Sequence, residues 1–323
     1  MKKLEKDLAQ KLNLNNLVAV SNGTIAIQMA IKALELKGQI ITTPFTWIAT
    51  LSAIQWEGCT AVFCDIDPRT LNIDPDKIEA CITDKTVAIM PVHVFGNPCD
   101  VEAIQKIADK YGLKVIYDAA HAIGSSLNGK SILEYGDISA TSLHATKLFN
   151  TAEGGACITN DEGLFKKLQR IRFFGHCDNK TEIVEQGFNG KLTEVHAALG
   201  IANLKYFDQV LKDRKTKYLL YKKALSVNPK LTFQKLSIGT CNYSYFPVIF
   251  ETEGALLKVV KKLNDKKIFP RRYFYPATNT FTNLVVYQAM PISEDIAKRI
   301  LCLPLFLGLK STVIEQICSI IHN

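Results

Sequence analysis

In the first half of the chain, short blocks of apolar residues alternate with longer stretches in which apolar positions recur at helical spacing. The blocks are "LVAV" (17–20), "QIITTP" (39–44), "TAVFCDI" (60–66), "TVAIMPVHVF" (86–95), "LKVIYDAA" (113–120), "ATSLHA" (140–145) and "GACITN" (155–160). Rich in Val and Ile and bounded by polar or glycine residues, they read as strands buried on both faces. The stretches 24–37, 46–57, 75–82 and 100–112 read as amphipathic helices. Strand–helix–strand alternation predicts a mostly parallel, doubly wound α/β sheet. Beyond residue 160 the pattern changes. One long helical stretch from about Glu194 to Val227 leads into a smaller α+β segment over 228–323, with "GTCNYSY" and "YPATNTFTN" as loops. The expected division is a large α/β domain over 1–215 and a small α+β domain over 216–323.

Composition narrows the class. Of 323 residues, 47% are hydrophobic and 22% charged, an ordinary globular balance. The net charge is +8, but the lysines are scattered along helical stretches such as "KYFDQVLKDRKTKYLLYKKAL". That argues for solvated faces and against a nucleic-acid partner. The nine cysteines show no CxxC pair and no zinc spacing, and most sit in apolar runs. Reduced thiols in a cytoplasmic protein are expected. "MKKLEKDLAQKLNLNN" is a charged amphipathic helix, not a signal peptide, and no apolar run has membrane-spanning length.

The chemistry sits where such folds place ligands, beyond the carboxyl ends of the strands. After the first block, Ser21, Asn22 and Gly23 lead into a helix opening near Thr24. This is either an ordinary capped helix or a phosphate site. Trp47 follows the second block, as core or as a stacking surface. Asp118 ends "LKVIYD". A metal ligand, a helix cap and a partner for a protonated ring nitrogen are all open to it, but no second carboxylate stands at metal spacing. Last comes Lys147, among the apolar and small residues of "TSLHATKLFNTAEGGA". A lysine in that company has its charge suppressed and is ready to attack a carbonyl. Phosphate anchor, ring face, strand-end acid and buried lysine, in that order, point to pyridoxal 5′-phosphate. No metal is expected.

These segments resemble the DegT/DnrJ/EryC1/StrS sugar aminotransferases. "SLHATKLFNTAEGGA" is similar to that family's lysine motif, "YDAAHAIGS" to its aspartate motif, and "SNGTIAI" and "PFTWIAT" to its phosphate and ring segments. "GFNGKLTEVHAALG" (187–200) is similar to its partner-subunit segment, and "RILCLPLF" extends the likeness towards the C-terminus. The resemblance implies the aspartate-aminotransferase fold (fold type I). It implies that Lys147 forms the Schiff base with the cofactor and that Asp118 pairs with the pyridinium nitrogen. His121 would lie near the phenolic oxygen. Gly23, Thr24 and Ser142 would hold the phosphate, and Trp47 would pack on the ring. Asn189 would reach the neighbouring subunit's phosphate, so the resemblance implies a homodimer with shared active sites. Family members usually carry a segment ahead of the helix that begins here near Lys2. Its absence is expected to weaken substrate affinity more than cofactor binding.

"FPRRYFYP" (269–276) is similar to a segment of the transaminases that aminate C4 of dTDP-4-keto-6-deoxyglucose. That implies a nucleotide-sugar substrate, L-glutamate as amino donor, and pyridoxamine 5′-phosphate as the intermediate cofactor form. His144, Arg271, Arg272 and Tyr273 are the candidate substrate contacts, with strand geometry letting one arginine reach the ligand. His93 and Phe95 are expected to support the pocket floor and Glu153 to set a turn. Arg172 and His176 lie in a loop that reaches the site or does not. A C3-specific or galacto-specific aminotransferase and a non-catalytic regulator are the competing readings. The sugar 3-dehydratases of this fold have histidine in place of the lysine, so Lys147 speaks against them.

Overall fold

The computed structural model describes residues 1–323 except 178, 180, 237 and 323. The chain opens with α1 (Lys2–Leu12), β1 (Asn16–Val20), α2 (Gly23–Ala33), β2 (Gln39–Thr42), α3 (Ile48–Trp56) and β3 (Thr60–Phe63). It continues with the single turn α4 (Pro75–Ile78), β4 (Thr86–Met90), α5 (Val101–Tyr111), β5 (Lys114–Asp118) and a small hairpin of β6 (Ser126–Leu127) and β7 (Lys130–Ser131). Then come β8 (Ile138–Ser142), β9 (Gly155–Thr159) and α6 (Glu162–Arg172). Seven strands form one sheet in the order β1-β9-β8-β5-β4-β2-β3. β9 runs antiparallel to both neighbours, and the other pairings are parallel. Both faces are covered. Val115 and Tyr117 pack with Leu4 and Leu8 of α1 and Ile104 of α5. Ile116 between them packs on the opposite face with α2, α3 and α6 residues such as Ile27, Leu51 and Leu168. Strand alternation with an apolar partner on each side explains the unbroken apolar blocks.

Two sequence expectations are corrected. The block 86–95 is a strand only to Met90, because Pro91 has no N–H for the ladder and the chain turns through Val94–Gly96. The single helix expected over 194–227 is two, α7 (Glu194–Leu204) and α8 (Phe207–Leu225). The break turns Phe207 into the large core, where its ring meets Phe149 at 6.2 Å. Helix α6 adds to the expected elements. Its signal is Asp161, which caps it by accepting the Leu164 N–H at 2.7 Å.

The C-terminal part contains β10 (Leu231–Phe233), β11 (Phe246–Phe250), α9 (Glu253–Asp265), α10 (Pro291–Arg299), β12 (Ile300–Leu303) and α11 (Ser311–His322). The three strands form an antiparallel sheet, with β11 in the middle. Leu256, Ile317 and Leu301 make its core together with Tyr221 and Leu225 of α8. A further cluster, Phe45, Phe95, Phe274, Ile249 and Ile300, joins the two sheets below the site. Among the described residues no helix is long and apolar enough to cross a membrane. All nine cysteines are free.

Candidate active site

Asp118 is the last residue of β5, and its backbone is pinned on both sides. Its N–H donates to the Pro91 carbonyl at 2.9 Å and its carbonyl accepts from His93 at 3.1 Å. Its carboxylate is buried. Thr50 Oγ1 donates to one oxygen at 2.7 Å and the Ala120 N–H to the other at 3.1 Å. Burial raises its pKa, against the two hydrogen bonds and the charge of Lys147. Thr46 meets the Thr50 hydroxyl at 2.7 Å, which fixes the donor.

Lys147 lies in the loop joining β8 to β9. Three backbone hydrogen bonds close that loop on itself: Leu143 to Gly154 at 2.7 Å, Thr151 to Leu143 at 2.9 Å and Ala145 to Ala152 at 2.6 Å. Burial brings the Lys147 pKa down to about 8, with Asp118 opposing and Arg271 adding to the shift. At neutral pH a usable fraction of the amine is therefore unprotonated.

The turn before α2 is built to receive an anion. The Asn22 side chain accepts the Ile25 N–H at 2.9 Å. Gly23 and Thr24, ahead of it, have no acceptor within their own helix and point outward at its positive end. The strands crowd this turn. A Cβ on Gly23 would stand 2.9 Å from that of Ser142, and one on Gly155 would stand 2.4 Å from the Asn22 carbonyl. Glycine at both positions lets the Ser142 hydroxyl and the free N–H groups converge.

These residues share one cavity of about 650 Å³. It gathers Gly23, Thr24, Trp47, Asp118, His121, Ser142, His144, Lys147, Arg271, Arg272 and Tyr273. His121 lies parallel to Phe95 and Phe274, with interplanar angles of 3° and 7°, in a triangle of rings whose centroids are 5.6–6.0 Å apart. Burial pushes its pKa well down, and its Nδ1 accepts the Phe95 N–H at 3.3 Å. The two arginines differ. Arg272 donates to Glu253 at 2.6 Å and to the Lys298 carbonyl at 2.9 Å, and lies 3.7 Å over the Tyr275 ring. Among the described residues, the Arg271 side chain donates to the Tyr273 hydroxyl alone, at 2.9 Å, and its charge is felt by Lys147.

Other expected residues fall elsewhere. Trp47 is 60% exposed at the cavity rim, edge-on to Tyr273, so it is not core. Asn189 is exposed and outside its own chain's cavity, where its Oδ1 accepts from Lys191 at 2.6 Å. Arg172 is buried outside the cavity, paired with Glu5 and donating to the Ala19 carbonyl at 2.9 Å. His176 packs on Phe173 outside the cavity. His93 lies behind Asp118, stacked on Tyr117 at 4.6 Å. Sequence reasoning left out Thr46, Phe274 and the cavity face of Glu153. Thr46 and Thr50, four apart in an apolar stretch, were the available signal for the first.

The site residues fit pyridoxal 5′-phosphate on their own geometry. Outward N–H groups meet a hydroxyl in a cradle that a Cβ would fill, and a buried carboxylate shares the cavity with a lysine of lowered pKa. Known proteins agree. The model of the DegT/DnrJ/EryC1/StrS aminotransferase family matches residues 1–322. A Shigella dysenteriae protein, dTDP-4-amino-4,6-dideoxy-D-glucose transaminase, is 43% identical over 99% of this chain and 89% of its own. The structure of DesI, solved in the presence of its TDP-sugar product, superposes with a TM-score of 0.92 at 31% identity, covering 99% of this chain and 83% of DesI. That of NtdA from Bacillus subtilis, with bound cofactor PMP, has a TM-score of 0.88 at 28% identity, covering 100% and 77%. By motif, by fold and over its whole described length, the chain belongs to the DegT/DnrJ/EryC1/StrS aminotransferase family.

Proposed function

We propose that the protein moves the amino group of L-glutamate onto C4 of dTDP-4-keto-6-deoxy-D-glucose, giving dTDP-4-amino-4,6-dideoxy-D-glucose. The observation that carries this reading is Lys147, its charge suppressed by burial, in one cavity with the buried carboxylate of Asp118 and the anion-ready turn at Gly23. The likeness to a transaminase of that name supports the substrate. Pyridoxal 5′-phosphate supplies a ring that withdraws electrons from the carbon losing its proton.

The chain does the rest. Gly23, Thr24 and Ser142 hold the phosphate. Asp118, buried and fixed by Thr50, keeps a proton on the ring nitrogen. His121, packed beside Phe95 and Phe274, lines the same wall. Lys147 Nζ takes the proton from the glutamate α-carbon, and in the second half-reaction it gives a proton to the sugar carbon. Arg271, the less committed guanidinium, meets the diphosphate, and Trp47 and Tyr273 offer apolar faces at the rim. Asn189, exposed and turned away from its own cavity, serves a second copy in a homodimer. We further propose a cytoplasmic location and a division into domains at 215/216, which falls within α8.

The test is mass spectrometry of products from a panel of nucleotide keto-sugars with L-glutamate. The 4-amino-4,6-dideoxyglucose product supports the reading. A C3 amine would replace the substrate, a galacto-configured product would keep the substrate and reverse the configuration at C4, and no amine from any keto-sugar would remove the activity.

A further inference from the structure

Two carboxylates line the cavity, and they are in opposite situations. Asp118 is buried, with both oxygens engaged by Thr50 and Ala120. Glu153 has a side chain 55% exposed and faces the open space. Its Oε1 lies 3.5 Å from His144 Nε2. The other nitrogen of that ring, Nδ1, accepts the Thr146 N–H at 3.2 Å and lies 2.9 Å from the Thr146 hydroxyl. An Nδ1 used as acceptor leaves Nε2 as the protonated nitrogen, aimed at Glu153. One oxygen of Glu153 is thus steadied from within the chain, and the other has no partner among the described residues.

The backbone holds this carboxylate firmly. Thr151 Oγ1 donates to the Glu153 carbonyl at 2.7 Å. Ala152, just before it, has φ of 66°, a left-handed conformation that a non-glycine residue adopts at a cost. A turn alone does not require glutamate here, since Glu153 enters the turn contact through its main-chain carbonyl. A carboxylate can only accept, so it attracts hydroxyls and repels phosphate and other carboxylates. The cationic groups of the cavity are Lys147, Arg271 and Arg272. A nucleotide sugar entering this field places its diphosphate towards Arg271 and its uncharged hydroxyls towards Glu153.

We propose that Glu153, steadied by His144, is a specificity-determining residue. Its carboxylate accepts a hydrogen bond from the sugar hydroxyl next to the carbonyl carbon that is aminated, O3 of a 4-keto-hexose. The inference rests on the sugar aminotransferase reading above and deepens it. Glutamate carries no hydroxyl, so its half-reaction makes no use of this contact. A site built to hydrogen-bond a hydroxyl discriminates against an analogue that lacks it.

The test compares holoenzyme and its Glu153→Gln variant with dTDP-4-keto-6-deoxy-D-glucose and the 3-deoxy analogue, following each half-reaction separately. Glu153→Gln should raise the sugar concentration needed for half-maximal rate by about tenfold or more. The 3-deoxy analogue should do the same with wild type, and the variant, which keeps a weaker uncharged acceptor, should discriminate between the two sugars less than wild type does. The glutamate half-reaction should stay unchanged. If the variant and the 3-deoxy sugar each weaken binding and their effects multiply, the contact does not exist. Equal loss in both half-reactions, or unchanged sugar kinetics, also overturns it. Should the variant fail to fold, full affinity of wild type for the 3-deoxy sugar is enough to reject the idea. Failure of wild type to aminate the natural keto-sugar is a different result, and it removes the substrate reading itself.

Discussion

The inner and outer walls of the cavity are built by different means. The inner wall is Asp118, the last residue of β5, and Lys147, in the loop joining β8 to β9, and its tuning comes from burial. The hydrogen bonds to the Asp118 carboxylate, from Thr50 and Ala120, come from within the large sheet domain. The outer wall, Trp47, Arg271, Arg272 and Tyr273, brings a distant C-terminal segment to the rim, where its groups are partly solvated. Groups whose charge is tuned by burial suit a reaction common to both substrates. Solvated cations and exposed rings suit recognition of one large anionic substrate. The inner wall should therefore govern turnover with any substrate, and the outer wall should govern sugar choice.

The largest effect should follow from Lys147→Ala, which removes the cavity amine proposed to shuttle the proton. Turnover should vanish by any assay, and an active variant would break the inner-wall assignment. Next comes mixing that inactive chain with Asn189→Ala under subunit exchange. Activity should return towards half per mixed dimer, because one site then holds both lesions and the other neither. If Asn189 served its own chain, no activity would return even with exchange demonstrated.

Asp118→Asn keeps the shape but not the charge. Loss of a charge-assisted hydrogen bond costs about 1.5–3 kcal/mol, or about 10- to 100-fold in rate. Both half-reactions should fall together, and wild-type turnover would give the carboxylate another job. The Lys147 amine can be titrated in cofactor-free protein with an amine-reactive label read by peptide mass. Because burial lowers its pKa to about 8, labelling should rise up to that pH and level off above it. A surface lysine would go on rising towards its ordinary value of about 10.4. The smallest effect is expected at Arg272. Its partly exposed pair with Glu253 makes Arg272→Ala a stability change of about 1 kcal/mol, visible as a lower Tm, with sugar kinetics little altered.

How much could be read in the sequence follows the same division. Asp118 and Lys147 stood out because a charged side chain at the end of an apolar strand is costly to bury without a task, and parallel sheets put ligands there. The roles given to Ser142 and Asn189 came from family likeness, not from any local signal. What stayed hidden depended on partners far along the chain. Arg172 is held by Glu5 near the N-terminus, and nothing around "RIRFFGHCDN" announces that partner. The preference for Arg271 over Arg272 rests on Glu253 and Tyr275, which take up Arg272. Trp47 reads as core or as a stacking surface in an apolar stretch, and it sits at the N-cap of α3 and turns outward, which removes the core reading. The break between α7 and α8 carries no proline or glycine. It exists because Phe207 has a place to go beside Phe149.

The division between the walls is tested most directly by single-turnover kinetics of Arg271→Ala in each half-reaction. The glutamate half-reaction should run at nearly the wild-type rate. The sugar half-reaction should need about tenfold more keto-sugar, a loss of about 1.4 kcal/mol. Equal loss in both half-reactions, or none in either, would contradict the division.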